Sequence, residues 1–169
     1  CIIHSRLPQK VHTTQPSSFA AVARRAAART THDMSSKPAD IVRFTGAKDF
    51  RTRILLSVLS GRACVIRDIR VRAAAVEGDA TKLGLRDYEV SFLRLVDKLT
   101  NGTKVDISED GTAVRFTPGV VKGGRRLTHE CATSRGIGYY AEPTLALGLF
   151  AKKPIELTLR GVTNDDADV

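Results

Sequence analysis

The sequence predicts an α/β fold built from repeated βαβαββ units, on three observations. Residues 41–71 contain a β-rich segment, a glycine turn, an amphipathic segment with helical spacing and a second β-rich segment. This strand–helix–strand order implies a right-handed crossover between two parallel strands. A longer amphipathic segment and two alternating segments then complete the order βαβαββ by residue 117. The strand–helix–strand order returns after residue 125, so we expect one full unit and a partial second one.

The first half of the full unit, residues 40–117, is a strand, a tight turn and a helix. Residues 41–44 are β-rich and stop at a Thr-Gly pair that permits a sharp reversal of the chain. Asp49 stands where its carboxylate can cap a helix by accepting first-turn N–H groups. Apolar residues then recur at three- and four-residue steps over residues 50–59, which predicts one buried helix face.

The second half of this unit is predicted to be a strand, a loop, a helix and a hairpin. Residues 64–71 partly alternate and predict a strand with one solvated face. The small, polar residues of 73–83 predict a mobile loop. Residues 85–99 have the most regular apolar stripe of the chain and predict a helix. Strict alternation over residues 104–108 and 112–117, around Glu-Asp-Gly, predicts a β-hairpin.

The remaining residues predict a linker and an incomplete second unit. Residues 118–125 hold one proline and three glycines, so we expect a linker turn without regular structure. The incomplete unit, residues 126–169, begins with a predicted strand at residues 126–131. A predicted helix at residues 136–150 and a predicted strand at residues 155–159 follow it. We expect the repeat to lie in the order of the elements rather than in residue identity.

The first 39 residues are predicted to lie outside the fold, as a disordered or non-native N-terminal extension. They hold six basic residues and one acidic residue, and they show no sustained apolar period. Their Ala- and Arg-rich composition resembles a mitochondrial presequence. Met34, in contrast, offers an ordinary protein start shortly before the first strand. Most of the net charge of +9 therefore belongs to this segment, and the folded part is only mildly basic.

No segment of the sequence predicts a membrane span, a metal site or a catalytic centre. No run of about 18 apolar residues occurs. The three cysteines are far apart, without a CxxC pair, and Cys64 and Cys131 are expected to be small buried residues. His129 stands alone in its predicted strand, and we expect a partly exposed structural side chain there. We therefore predict no catalytic, cofactor-binding or metal-binding residue.

Basic residues near turns and strand–helix junctions are the candidate contacts. Few aromatic residues occur, and they do not interleave with these cations, which disfavours base stacking. Backbone contacts to structured RNA, contacts to an acidic protein and a merely solvated face are all open at this point. The candidates are Lys48, Arg51, Arg53, Arg67, Arg70, Arg72, Lys122, Arg125, Arg126 and Arg135.

Four motifs, in order, resemble the RNA 3′-terminal phosphate cyclase family, and most closely its eukaryotic non-cyclase branch. They are GLRDYEVSFLRLVDKLTNG at residues 84–102, FTPGVVKGG at 116–124, RGIGYYAEPTL at 135–145 and LRGVTND at 159–165. The similarity runs from about residue 42 to the end and matches the N-terminal portion of that family. The resemblance implies βαβαββ repeats like those of the enolpyruvyl transferases, which agrees with the units predicted from the residues.

The sequence departs from the cyclases where they bind ATP and metal. Cyclases carry a DGxxGEGGGQxLR segment, whose glutamate and arginine serve that site. The matching residues 45–56 are one residue shorter, hold no glutamate and have lost most of the glycines. Leu56 stands where the arginine is expected, and Asp49 is a poor substitute for the glutamate. An ATP-dependent cyclase is therefore disfavoured, and no cofactor is expected.

Resemblance to the non-cyclase branch implies a ribosome biogenesis factor of the small-subunit processome, in the nucleus and nucleolus. It implies binding to a ribosome-assembly GTPase, to other processome proteins and to precursor ribosomal RNA, whose early cleavages it supports. An active ATP-dependent cyclase is the alternative, and an enolpyruvyl-type transferase that binds a small anionic metabolite is a third hypothesis. Whether the protein itself cleaves RNA is left open by these residues.

Overall fold

The structure, a computed structural model, describes residues 41–165 apart from the side chain of Ala80. The predicted extension at residues 1–39 lies outside the described residues. A short 3-10 helix, Ala80–Lys82, lies between the second and third α-helices. In chain order the described elements are β1 Val42–Thr45, α1 Phe50–Ser60, β2 Cys64–Arg67, α2 Val71–Glu77, α3 Asp87–Leu99, β3 Thr100–Asn101, β4 Lys104–Ile107, β5 Val114–Thr117, β6 Val120–Val121, β7 Arg126–Glu130, α4 Gly138–Gly148 and β8 Glu156–Arg160.

A four-stranded sheet in the order β1-β2-β5-β4 forms the centre of the first unit. Strands β1 and β2 are parallel and are joined through α1, as the strand–helix–strand order predicts. Strands β4 and β5 form the predicted hairpin, and β5 also pairs antiparallel with β2. The α/β class predicted from the sequence is therefore confirmed.

The core of the molecule lies where α1 and α3 meet this sheet and the second unit. Helix α3 contributes the longest buried face, and its apolar residues repeat at the spacing of helix turns. The side chains that are essentially inaccessible to solvent come from all of these elements. They include Ile54, Ile66, Phe92, Leu95, Val114, Phe116 and Tyr140.

The region after β2 differs from the prediction. The strand ends at Arg67 rather than at residue 71, and a helix replaces the expected mobile loop. Asp68 and Arg70 have φ angles of 54° and 56°, so the backbone leaves the sheet there. The buried Ile69 between them donates its N–H to the carbonyl of Thr112 at 3.0 Å. Helix α2 forms from an alanine-rich segment with high helix propensity.

Asp49 precedes α1 as predicted, but its carboxylate does not cap the helix. Its backbone is left-handed, with φ 53°, and its side chain makes no capping hydrogen bond. Instead the backbone carbonyl of Asp49 accepts the N–H of Arg53 at 3.0 Å. The other end of α1 agrees with the sequence, since Gly61 adopts the left-handed conformation that glycine favours.

The second unit contains the predicted strand, helix and parallel strand. Strands β7 and β8 pair from Arg126 opposite Glu156 to Glu130 opposite Arg160, and α4 connects them. The linker is more ordered than expected, because Val120–Val121 forms the short strand β6 against β3. The prediction that residues 118–125 contain no regular element is wrong for these two positions.

A small buried polar cluster connects α3, β7 and α4. His129 is 3% exposed, so it is buried rather than partly exposed as predicted. Its Nε2 lies 3.0 Å from the hydroxyl of Ser91, and its ring packs against Tyr140. Its Nδ1 has no hydrogen-bond partner. The cluster therefore fits a neutral imidazole and holds the two units together through side chains of three elements.

Acid should weaken this contact, because burial lowers the pKa of His129, and the charges of Lys98 and Arg94 lower it further against the effect of Glu130. An unfolded histidine takes up its proton near pH 6.5. The unfolded state therefore binds the proton first, and stability falls from about pH 6.5 until the lower native pKa is passed. We expect the urea midpoint to drop between pH 7.5 and pH 5.5, and to drop less in His129→Gln. Equal drops in both proteins would contradict this assignment.

Candidate nucleic-acid interface

The predicted contact residues do not form one surface. The structure places three arginines in a shallow pocket, two cations on a surface of turns, and the others at separate positions. The groups differ in their partners, and a cation that is not already paired with a carboxylate is the better contact for an anionic ligand.

The pocket, of about 240 Å³, lies where the N-terminal ends of α1, α3 and α4 approach one another. Arg51, Arg70 and Arg135 line it together with Tyr88 and Tyr139. It unites residues that are far apart in the sequence, and the predicted cations are a large part of its wall.

Each of these three arginines already faces an acidic side chain. Arg51 contacts Glu142 at 2.6 Å and also donates to the carbonyl of Tyr139 at 2.9 Å. Arg70 makes two hydrogen bonds of 2.7 Å to the carboxylate of Glu89. These bonds raise the pKa of Arg70.

Arg135, the third of these arginines, has an acidic neighbour as well. Its Nε lies 3.7 Å from the carboxylate of Asp165. The pocket is therefore largely neutralised by the protein's own carboxylates.

In the fold, arginines and aromatic rings that are distant in the sequence are in contact. The guanidinium of Arg51 lies 4.8 Å from the ring centre of Tyr139, and that of Arg135 lies 4.9 Å from it. Arg135 also lies 5.2 Å from the ring centre of Tyr88. Tyr139 is buried, and burial raises the pKa of its hydroxyl. These rings stack on the protein's own arginines.

The turn between β1 and α1 is occupied by an arginine side chain. Arg53 donates to the carbonyl of Gly46 at 2.8 Å, and its guanidinium lies 4.8 Å from the ring centre of Phe44. Lys48 is exposed in the same turn, while Arg67 and Arg72 are exposed at the end of β2 and on α2. These three cations are accessible, but they belong to separate elements.

A second group of cations lies where two turns meet. Lys122 and Arg125 line a narrow crevice together with Lys98 at the end of α3. The N–H of Lys153 donates to the carbonyl of Lys122 at 3.0 Å, which brings the segment between α4 and β8 alongside. Lys152 precedes it and is also exposed. We call Lys98, Lys122, Arg125, Lys152 and Lys153 the basic turn surface.

Arg126 is next to this surface in sequence, but it belongs to the strand β7. Its side chain lies 2.7 Å from the carboxylate of Glu156 on β8, and both side chains are largely exposed. The pair follows from the parallel register, in which these two residues are opposite each other. The charge of Arg126 is thus partly compensated.

Sequence reasoning missed Lys98, Lys152 and Lys153. A usable signal was present for two of them, since Lys-Lys-Pro precedes the final strand as Lys-Gly-Gly-Arg precedes β7. Parallel strands begin at the same edge of a sheet, so the turns before β7 and β8 had to be neighbours. Lys98 lacks such a signal, because its position depends on how α3 packs against β7.

The described residues contain no group of three or more His, Cys, Asp or Glu side chains that could hold a metal ion. Cys64 and Cys131 are buried, as predicted, and burial raises the pKa of both thiols. Within residues 41–165, no helix has the length and apolar composition needed to cross a membrane.

Comparison with known proteins identifies the family. The sequence profile of RNA 3'-terminal phosphate cyclase (RTC) matches residues 42–169. The chain belongs to this family. A "Probable RNA 3'-terminal phosphate cyclase-like protein" of Dictyostelium discoideum is 50% identical over 129 residues, which are 76% of this chain and 33% of that protein.

Two further relatives have names that differ in what they say about function. The RNA 3'-terminal phosphate cyclase-like protein of Homo sapiens is 46% identical over 74% of this chain and 31% of its own length. The rRNA processing protein RCL1 of Saccharomyces cerevisiae is 42% identical over 80% of this chain and 35% of its own length. The chain thus spans about a third of the length of the curated relatives it matches.

The segment where cyclases of the RTC family hold ATP and metal does not fit that role here. Residues 45–56 include the last residue of β1, the turn after it and the first part of α1. Asp49, the one acid in this segment, is exposed with a left-handed backbone. Arg53 is directed to the carbonyls of the turn, and Leu56 is a solvent-exposed apolar residue.

Proposed function

We propose that this protein acts in ribosome biogenesis, in the processing of precursor ribosomal RNA, and that it has no cyclase activity. The observation that carries the proposal is its 42% identity to a relative named as an rRNA processing protein. The loss of the glutamate and glycines in residues 45–56 supports the absence of cyclase chemistry. The alternative is an active ATP-dependent RNA 3′-terminal phosphate cyclase, which the description of the family favours.

The finer proposal concerns location and partners. We place the protein in the nucleolus, within the small-subunit processome, bound to a ribosome-assembly GTPase and to precursor ribosomal RNA. It supports the early cleavages of that RNA and requires no cofactor. Resemblance to the non-cyclase branch is the basis for these partners, and the surplus of exposed cations in the described residues is compatible with an RNA ligand.

Depletion of the protein from its own cells should lower mature small-subunit ribosomal RNA and lead to accumulation of uncleaved precursor. Large-subunit RNA should be nearly unchanged, because early cleavages at the small-subunit side are the ones it supports. Northern blots with probes on both sides of the early cleavage sites measure this, with re-expression of the wild-type protein as the control. Normal precursor levels after complete depletion would contradict the proposed function.

An assay of the purified protein distinguishes the proposed function from the alternative, an active cyclase. Incubation with labelled ATP and a 3′-phosphorylated RNA should give neither a protein–AMP adduct nor a cyclic phosphate end, whereas an authentic cyclase run in parallel gives both. Formation of either product would support the cyclase and contradict the non-enzymatic part of the proposal.

A further inference from the structure

We propose that the basic turn surface binds the sugar–phosphate backbone of double-helical RNA without reading its sequence. The proposal rests on the proposed role in ribosomal RNA processing for its choice of RNA over an acidic protein. It assigns the contact to residues from both units, including three lysines, Lys98, Lys152 and Lys153, that are not apparent as a group in the sequence.

The lack of ion pairs with carboxylates separates this surface from the arginines of the pocket and from Arg126. The arginines of the pocket and Arg126 each have a carboxylate within 4 Å. Within residues 41–165, the cations of the basic turn surface make no ion pair with an acidic side chain, and Lys98 donates only to the carbonyl of Thr128. Exposed cations of this kind can contribute their full electrostatic attraction to a phosphate, because no ion pair within the protein has to be broken first.

The backbone beneath these side chains is fixed by contacts between the two turns. The N–H of Gly124 donates to the carbonyl of Pro154 at 2.7 Å, and the N–H of Lys153 donates to Lys122. A Cβ atom on Gly124 would lie 2.8 Å from the side chain of Lys153, so the stem of this lysine packs directly on the glycine backbone. The backbone positions that carry Lys122, Arg125 and Lys153 are thus held relative to one another.

Aliphatic surroundings favour a double helix over a single strand. The apolar residues of the crevice are Leu99, Leu127 and Ile155, and no aromatic ring lines it. Proteins that bind single strands typically stack bases on aromatic side chains. Double-stranded RNA is instead recognised through its shape and its backbone. Phe150, in the turn that follows α4, is exposed, and its substitution tests the single-strand alternative.

The test is a titration of the purified protein with a fluorescent 20-base-pair RNA duplex and with a single strand of the same length, over a salt series. Lys122→Ala/Arg125→Ala and Lys152→Ala/Lys153→Ala should each weaken duplex binding at least fivefold. They should lower the salt slope by roughly one unit for each phosphate that is no longer neutralised. Duplexes of different sequence should be affected equally. Arg67→Ala/Arg72→Ala removes the same charge from exposed positions elsewhere and should change affinity less than twofold.

Three results would overturn the proposal. Unchanged duplex affinity in both double variants would do so, even if they impair RNA processing in cells, because the surface would then serve a protein partner. Equal losses in the Arg67→Ala/Arg72→Ala control would mean that only net charge matters. If the protein preferred the single strand and Phe150→Ala removed that preference, the ligand would be a single strand that stacks its bases on Phe150 rather than a double helix.

The proposed function and this inference can fail separately. In one case, depletion causes a processing defect, both double variants rescue it fully, and both bind the duplex with wild-type affinity. The proposed function would then stand and the inference would be wrong. In the other case, duplex binding depends on the basic turn surface but depletion causes no processing defect. The contact with RNA would then stand and the proposed function would be wrong.

Discussion

Replacing Glu89 with glutamine should lower the free energy of unfolding by about 3 kcal/mol, because it leaves Arg70 with an uncompensated charge in a largely buried site. The Glu89 side chain is only 3% exposed and that of Arg70 is 17% exposed. Two hydrogen bonds of 2.7 Å join the guanidinium to the carboxylate. The remaining exposure of Arg70 places the loss at the lower end of what a broken buried pair costs.

Glu89 has a second task that glutamine fulfils only in part. Its carboxylate also accepts the backbone N–H of Arg86 at 2.8 Å, at the start of α3. Arg70 in turn donates to the carbonyl of Gly84. The carboxylate therefore connects the backbone before α2 with the first turn of α3, and these contacts hold the wall of the pocket in place.

Urea unfolding monitored by circular dichroism measures the change. Glu156→Gln is the matched control, because Glu156 has an equally short contact to Arg126 but both partners are exposed. Exposed pairs contribute about 0–1 kcal/mol, so this control should hardly shift the midpoint. If Glu89→Gln were as mild as the control, the pair would be dispensable for the stability of this region.

Elements with a local pattern could be predicted from the sequence. The stripe of α3 is set by helical spacing, and the hairpin by strict alternation around Glu-Asp-Gly. The parallel pairing of β7 and β8 follows from the chirality of a strand–helix–strand connection. Each of these features depends on neighbours in the chain, so composition and spacing suffice.

The departures occur where distant contacts determine the backbone. The strand β2 ends early because Ile69 bonds to Thr112 and Arg70 to Glu89. Those partners are 43 and 19 positions away, and no local pattern announces them. Asp49 is a different case: its backbone is left-handed and its side chain makes no capping hydrogen bond, which its position in the sequence does not indicate.

For the basic residues, the sequence indicates which cations exist, and the fold determines which of them are paired with a carboxylate. Arg51 was as good a candidate as Arg125 by sequence, yet it contacts Glu142, which is 91 positions away. Arg125 remains exposed without an ion pair among the described residues. The candidates were thus predictable as a set, while their division into neutralised and available cations required the packing of α1 against α4.

Gly123→Ala should also lower the free energy of unfolding strongly, because it should separate the two turns of the basic turn surface. Gly123 has φ 65°, and a Cβ atom there would lie 1.8 Å from the carbonyl oxygen of Lys153 and 2.7 Å from its carbon. Both are backbone atoms, so no change of rotamer relieves the overlap. The segment before β8 has to move away from the segment before β7.

The expected cost has two parts. A left-handed residue with a side chain costs roughly 1–2 kcal/mol. Separating the turns also breaks the hydrogen bonds from Lys153 to Lys122 and from Gly124 to Pro154, at about 1 kcal/mol each. Gly61→Ala isolates the first part, because Gly61 has φ 68° and a Cβ atom on it would have no neighbouring atom within 4 Å.

We therefore expect Gly123→Ala to destabilise the protein by about 2 kcal/mol more than Gly61→Ala does, from the two lost hydrogen bonds. Urea unfolding measures this difference, and hydrogen exchange should show faster exchange at the amides of Lys153 and Gly124 in Gly123→Ala only. Duplex RNA binding should fall as well, although no charge has been removed, because the backbone positions that carry the lysines are no longer held relative to one another. If Gly123→Ala and Gly61→Ala lowered the free energy of unfolding equally, separating the two turns would cost nothing. The contacts between the turns could then not account for the binding of a duplex.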